Sequence, residues 1–430
     1  MTRMKAFCGR AGFVLLSLVL LGQCLSAQAL ILPADPNNAA LLYYQAFLAC
    51  PEPPERELPR PIRPRHGLEG TYGRPSNREC ALNQLEKGAE PDDLVREYVQ
   101  MCNNAIELTE KAIRLPQCDW GTLYSQGFSY RARHLPAMTL LVRVLCADAR
   151  ILAANGLRRR ALQRCLSAHA LVDHVGDWTD ASFLTGMDID RRIHSCIRQI
   201  LGSAPPDVET ILWLKKEIAP LRSDPSVAKR PLEGGFELLL QTLRNRDETM
   251  SRIRSSMAEA GMEEMAKGLT DEKLVTRVEE SYRAAIDSLE AVMASDLPYE
   301  KACSQIQSLL VDLETTVKDD PVARHIDRDI VTMAERSLAL YSARISSLAR
   351  FLALHAALQL YLIHAETGAL PEELPAGLPE DPFGRCPFRY EKTEQGFILR
   401  PNVDKVYDHR VEQFDFTIVN KGQIQGPPFR

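Results

Sequence analysis

Residues 329–367 contain neither proline nor glycine, and the run ends in Gly368 with Pro371 just beyond it. Such a stretch predicts one long helix, because Gly accommodates the left-handed C′ position and a following Pro cannot continue the hydrogen-bond ladder. Its centre, FLALHAALQLYLI, is apolar nearly all round. At thirteen residues it falls short of the roughly 20 that span a bilayer, and it suits a core helix covered on most sides. The rest of the chain has to supply that cover.

Upstream, helical periodicity dominates. DPNNAALLYYQAFLAC places Asn37 or Asn38 as a cap for a helix with Leu42, Tyr43 and Phe47 on one side. A connector dense in Pro, Arg and Gly follows, from residue 51 to 80, and reads as irregular or polyproline-like. Arg60, Arg63 and Arg65 recur along it as a docking strip or, more simply, as a solvated loop. From Asp92 an acidic first turn opens a helix with Leu94, Tyr98, Cys102 and Ile106 at spacings of four. Further helices are expected over 136–154, 157–175, 183–202, 207–220, 231–266, 271–294 and 298–317, punctuated by Gly156, Pro205, Pro225, Gly268, Pro298 and Pro321. Residues 136–175 form a helical hairpin that resembles one tetratricopeptide-type unit, with Gly156 at the turn and Ala161 and Leu162 at the close approach; no copies recur at a period of 34.

Beyond the long helix the period changes. DPFG at 381–384 predicts a type I turn with Asp381 at its first corner, Pro382 at the second and Gly384 at the fourth. Phe388 and Tyr390 then alternate with Arg389 and Glu391. Phe397 and Leu399 offer a return strand after KTEQG, and Phe414, Phe416 and Ile418 a third. The fold class is therefore mainly α: a multi-helix array or bundle with a small C-terminal three-stranded antiparallel sheet packed on a long helix. Four segments follow: a signal peptide at 1–29, an N-terminal helix and connector at 30–91, a helical domain at 92–325, and the long helix with its sheet at 326–430.

Gly368, Leu370, Pro371, Asp381, Pro382, Phe383, Gly384 and Tyr390 together resemble the globular part of a type II secretion pseudopilin. In that family a helix ends in a Gly and a Tyr-Pro step, then leads to DPWG-x-x-Y-x-Y and a short sheet. Leu370 and Phe383 are replacements within the pattern. The whole plan is similar to secreted bacterial helical proteins that carry such a tail. The resemblance implies an acidic loop that binds calcium, for which Asn402, Asp404, Asp408 and Asp415 are the ligand candidates. Lys405, His409 and Arg410 weaken the field there. GRAGFVLLSLVLL has the Gly-Phe junction of prepilins, but Ser17 stands in place of their glutamate, so a filament subunit is not expected.

The first residues supply Arg3, Lys5 and Arg10, then an apolar run, then Ala27 and Ala29 in the small-x-small arrangement of a signal-peptidase site. Cleavage after Ala29 and an extracytoplasmic location, periplasmic or secreted, are expected. Membrane contact is expected only if the signal is retained or Cys24 is lipidated, and Gln23 before Cys24 argues against a lipoprotein. A net charge of -5 gives no electrostatic reason for a nucleic-acid partner. Nine cysteines, Cys50, Cys80, Cys102, Cys118, Cys146, Cys165, Cys196, Cys303 and Cys386, remain after cleavage. Their broad spacing excludes a zinc-ribbon framework and favours core packing over bridges at most positions.

Catalytic signatures are sparse. HExxH, GxSxG and the P-loop are absent. Ser226 and Lys229 stand one turn apart in SVAK without the companion motifs of penicillin-recognising enzymes. Asp190 and His194 share one helix face at i,i+4, as a metal pair or, by the simpler reading, a hydrogen-bonded surface pair. His169, near Asp173 and His174, falls on the stripe of Leu162, Cys165 and Leu166 and reads as a core histidine. Arg158, Arg159, Arg160 and Arg164 collect at a helix start, as an acidic-partner site or a solvated turn. No catalytic residue, cofactor or nucleic-acid partner is expected. The expected role is an exported non-catalytic binding or assembly scaffold among other envelope proteins, with a periplasmic hydrolase and a helical-repeat adaptor as alternatives. A pocket lined by His169, Asp173 or Asp190 would favour the hydrolase.

Overall fold

The computed structural model describes residues 37–62, 76–121, 125, 131–176, 179–219, 229–244, 251, 255, 258, 261, 264, 271–295, 297–319, 327–406, 409–410 and 412–419. The signal region, Cys24, Arg63, Arg65, Ser226 and Asp408 lie outside them. Among the described residues are the helices α1 (Ala39–Ala49), α2 (Ala81–Glu86), α3 (Asp93–Met101), α4 (Asn103–Ala112), α5 (His134–Ala154), α6 (Arg158–Val175), α7 (Asp180–Leu201), α8 (Val208–Ile218), α9 (Lys229–Arg244), α10 (Asp271–Met293), α11 (Tyr299–Asp319) and α12 (Asp327–Thr367).

The N-terminal half is capped as its sequence dictates. Asn38 accepts from the Ala40 amide at the start of α1, and Asp92 accepts from Val95 at the start of α3. Two expectations change here. The connector pairs with itself, as β1 (Glu55–Ile62) and β2 (Ser76–Cys80) in an antiparallel ribbon. Its register breaks between Glu57 and Ile62, the stretch that holds Pro59 and Pro61, because proline cannot donate to a ladder and is tolerated at bulges. The helix expected from Asp92 through Ile106 is divided at Cys102 into α3 and α4. Tyr98, Cys102 and Ile106 are buried as the spacing implies, but Leu94 is exposed and Val95 takes its place inward.

Helices α5, α6 and α7 pack on one another in turn. Ala161, Leu162, Cys165 and Ala168 of α6 are fully buried, and the small volumes of Ala161, Cys165 and Ala168 let the helices approach closely. Capped by the reciprocal Thr179–Ser182 box, α7 sends Ile189, Ile193, Ile197 and Ile200 into the core. Its far side meets α12.

The segment Arg336–Thr367 of α12 is long and apolar enough to cross a membrane by length and composition alone. In the fold it is enclosed by α7, α8, α11 and the C-terminal sheet, and Ala349, Ala353, Ala356, Ala357, Leu358 and Leu360 are fully buried. At its end Gly368 adopts φ 78° and donates to the His364 carbonyl at 2.8 Å, a residue past the helix serving as its stop.

The sheet is the one the alternation implies. Strands β5 (Arg389–Thr393), β6 (Gly396–Arg400) and β9 (Phe414–Thr417) are antiparallel in that order, with the short pairs β3 (Glu380–Asp381) with β4 (Cys386–Pro387) and β7 (Lys405–Val406) with β8 (His409–Arg410) beside it. Phe397, Leu399, Phe414 and Phe416 are buried, forming the face that rests on α12. The DPFG turn is wider than expected. Its closing hydrogen bond runs from Arg385 to the Asp381 carbonyl, 2.8 Å, with Arg385 at φ 52°. Asp381 is fully buried; its carboxylate accepts from the amides of Phe383 (3.1 Å), Gly384 (3.3 Å) and Asn402 (2.7 Å). Phe383 then packs edge-on against Tyr299 at the start of α11, centroids 5.1 Å apart.

Candidate functional site

The densest buried polar group lies where α6, α7 and α12 meet. Spacing of four puts Asp190 and His194 on the same face of α7, and packing of α6 and α12 brings His169 and Ser347 to them. Asp190 and His194 are only 4% and 5% exposed, so the surface pair expected from sequence is instead a core pair. The reason is the partner face: α12 covers the side of α7 that would otherwise meet water. His169 is half-buried at the edge of the core and adds a contact that the stripe does not show, to Asp190.

The geometry is convergent. His169 Nε2 lies 3.4 Å and His194 Nε2 3.3 Å from Asp190 Oδ1. On the other oxygen, Ser347 donates at 2.8 Å and Arg350 Nε stands 3.6 Å away. Arg350 also reaches Glu412 (3.2 Å), which Arg198 joins at 3.1 Å. Burial raises the Asp190 carboxyl, but His194, His169 and Arg350 outweigh it and hold it well below the usual carboxylate range. Burial lowers His169, and Asp190 more than reverses that, raising its pKa. His194 Nδ1 is buried with no partner among the described residues.

A second polar group lines an open cleft between α2, α5 and α7. Glu86 receives Arg143 and Arg192, each at 2.5 Å. Arg150 reaches the Leu85 and Ala89 carbonyls, and Gln199 the Glu86 carbonyl, so these side chains satisfy acceptors left over at and just beyond the end of α2. Cys146 and Cys196 line the same cleft, and Cys165 Sγ lies 3.5 Å from Cys196 Sγ. Hydrogen bonding to Cys196 first and burial second hold Cys146 and Cys165 well above the ordinary thiol range.

The remaining sequence candidates separate. Asp173 is exposed, while His174 accepts the Tyr43 hydroxyl or donates to it at 2.8 Å. The arginine run divides: Arg159 and Arg160 are exposed, as a solvated turn implies, whereas Arg158 and Arg164 are held by partners elsewhere in the fold. Arg158 donates to the Leu201 and Pro205 carbonyls (2.6 and 2.7 Å), Arg159 pairs with Glu209 and lies over Trp213, and Arg164 bridges Asp148 and Glu110. Of the calcium candidates, Asn402 and Asp404 accept from Arg389 (3.2 and 3.5 Å), and Asp415 accepts from Gln413 on the exposed face of β9. No family model, curated protein or solved structure matches the chain.

Proposed function

We propose that the protein is an exported, non-catalytic binding or assembly component of the cell envelope, in which the C-terminal sheet, resembling a pseudopilin globular domain, is carried as a fixed appendage of a helical scaffold. One observation carries the reading: the charged side chains at the α7 surface spend themselves on internal joints. Glu412 of the sheet module is held by Arg198 and Arg350, and the cleft arginines are held by Glu86 and helix-end carbonyls. Such groups position elements; a substrate would have to break those pairs to use them.

The N-terminal pattern of Arg3, Lys5 and Arg10, an apolar run and Ala27-x-Ala29 supports export. A hydrolase is the second reading, favoured by the meeting of His169, Asp190 and His194, with Asp190 only 4% exposed.

The test is fractionation followed by cross-linking of the processed protein in its own envelope. A mature N-terminus at Leu30 and reproducible cross-links to defined envelope proteins are expected. A cytoplasmic, unprocessed chain would overturn export. Turnover of an ester, peptide or glycoside panel, abolished by Asp190→Asn, would overturn the non-catalytic role.

A further inference from the structure

We infer that His169 Nε2, Asp190 Oδ1 and His194 Nε2 form a binding site for one divalent cation of the zinc class. The three donor atoms all lie within 4.8 Å of one another. The two His–Asp separations, 3.4 and 3.3 Å, are long for a charge-assisted hydrogen bond, which closes to about 2.7–2.9 Å. They match the ligand-to-ligand edge of a tetrahedral zinc site, about 3.3 Å for metal–nitrogen bonds of about 2.0–2.1 Å. Two imidazoles and one carboxylate are a borderline donor set, suited to zinc-like first-row ions and poor for calcium or magnesium.

The surroundings hold the carboxylate in the required pose. Ser347 donates to Oδ2 at 2.8 Å, so Oδ1 is left facing the two rings. Such outer partners orient metal ligands in general. Arg350 shares Glu412 with Arg198 and approaches Asp190 on Oδ2, the oxygen away from the two rings. His169 is the most accessible of the three, with 17% of its side chain exposed, so a water or hydroxide on its side completes four-coordination. Bound there, the ion joins α6 to α7 and, through Ser347, to α12. The inference stands on this geometry and not on export or assembly.

The experiment uses the purified full chain, stripped with a chelator and titrated with Co²⁺ and then Zn²⁺. One equivalent of Co²⁺ should bind with the visible spectrum of a four-coordinate nitrogen/oxygen site, without sulfur-to-metal charge transfer, and Zn²⁺ should displace it. Ser347→Ala should weaken binding about tenfold. His169→Gln, at the accessible edge, should abolish stoichiometric binding while leaving the circular dichroism of the metal-free protein unchanged, with a lower melting temperature from the lost contact to Asp190; His194→Ala should do the same. A folded wild type that retains no Co²⁺ overturns the site. So does a cobalt spectrum with thiolate charge transfer that survives His169→Gln, which would place the ion on the cysteines.

Discussion

Tyr361, near the end of α12, donates its hydroxyl to the main-chain carbonyl of Thr417 on β9 at 2.7 Å, and its ring meets Phe397 edge-on at 5.7 Å. The long helix and the last strand are thereby joined by one side chain through both its apolar body and its polar tip. Tyr361→Phe keeps the ring and loses the hydrogen bond, so a loss of about 1–2 kcal/mol is expected in urea unfolding. Tyr361→Ala should cost about 3–5 kcal/mol. Equal stability of wild type and Tyr361→Phe would show that the hydroxyl contributes nothing.

Gly396 sets the spacing of the sheet. At φ 150° a Cβ there would stand 2.0 Å from the Phe416 carbonyl oxygen, at the end of the β6–β9 ladder where Gly396 faces Thr417. Gly396→Ala should lower stability by more than about 2 kcal/mol and weaken the near-UV dichroism of the buried aromatics. Gly377, also at positive φ but with nothing within 4 Å, is the control, at a cost of about 1 kcal/mol.

Cys50 and Cys102 place their sulfurs 3.8 Å apart, one at the end of α1 and the other between α3 and α4. The hydrogen bond from Cys102 brings the Cys50 thiol down to about 7, against burial, so it is the attacking group in thiol–disulfide exchange with an oxidised dithiol. Oxidation should join them and add about 4 kcal/mol by closing a loop of some fifty residues. Peptide mapping without reductant and melting with and without it provide the readout. Cys102→Ser should melt alike under both conditions, and a wild type that did so too would refute the pairing.

His134 gives a pH-dependent stability. It stacks on Trp120 at 4.2 Å, and burial pushes its pKa down to about 4, a backbone hydrogen bond with Val175 opposing. The unfolded chain takes up its proton near 6.5, so the neutral ring's contribution is complete above that pH and is lost as pH falls toward 4. About 3 kcal/mol is the upper scale of the loss. His134→Phe retains the stack and should flatten the difference between urea midpoints at pH 5 and pH 7.5; an unchanged slope would assign it to other groups.

The helices and the sheet were legible because each carries a local signal. The run to Gly368, the alternation of Phe414 and Phe416, and the caps at Asn38 and Asp92 depend on neighbours within a few residues. Asp190 was legible only as half of a pair with His194, since Ser347 and Arg350 arrive from a helix more than 150 residues later and no spacing rule links them. The same limit hid the ties of Arg158 and Arg164: a basic run looks alike whether it faces water or the carbonyl end of another helix. For the connector, proline content pointed away from strands, and the register break at Pro59 and Pro61 is what lets the ribbon form.

The pairing of Arg198 with Glu412 spans 214 residues. At roughly 5–20 residues per second, the acid is synthesised about 10–40 s after the base it neutralises. Throughout that interval α7 exists without the last partner of its polar centre, and a chain that ends early never acquires it. Glu412 thus closes the charge network only once its stretch of chain has been made, and copies that end before it keep Arg198 and Arg350 without that acid.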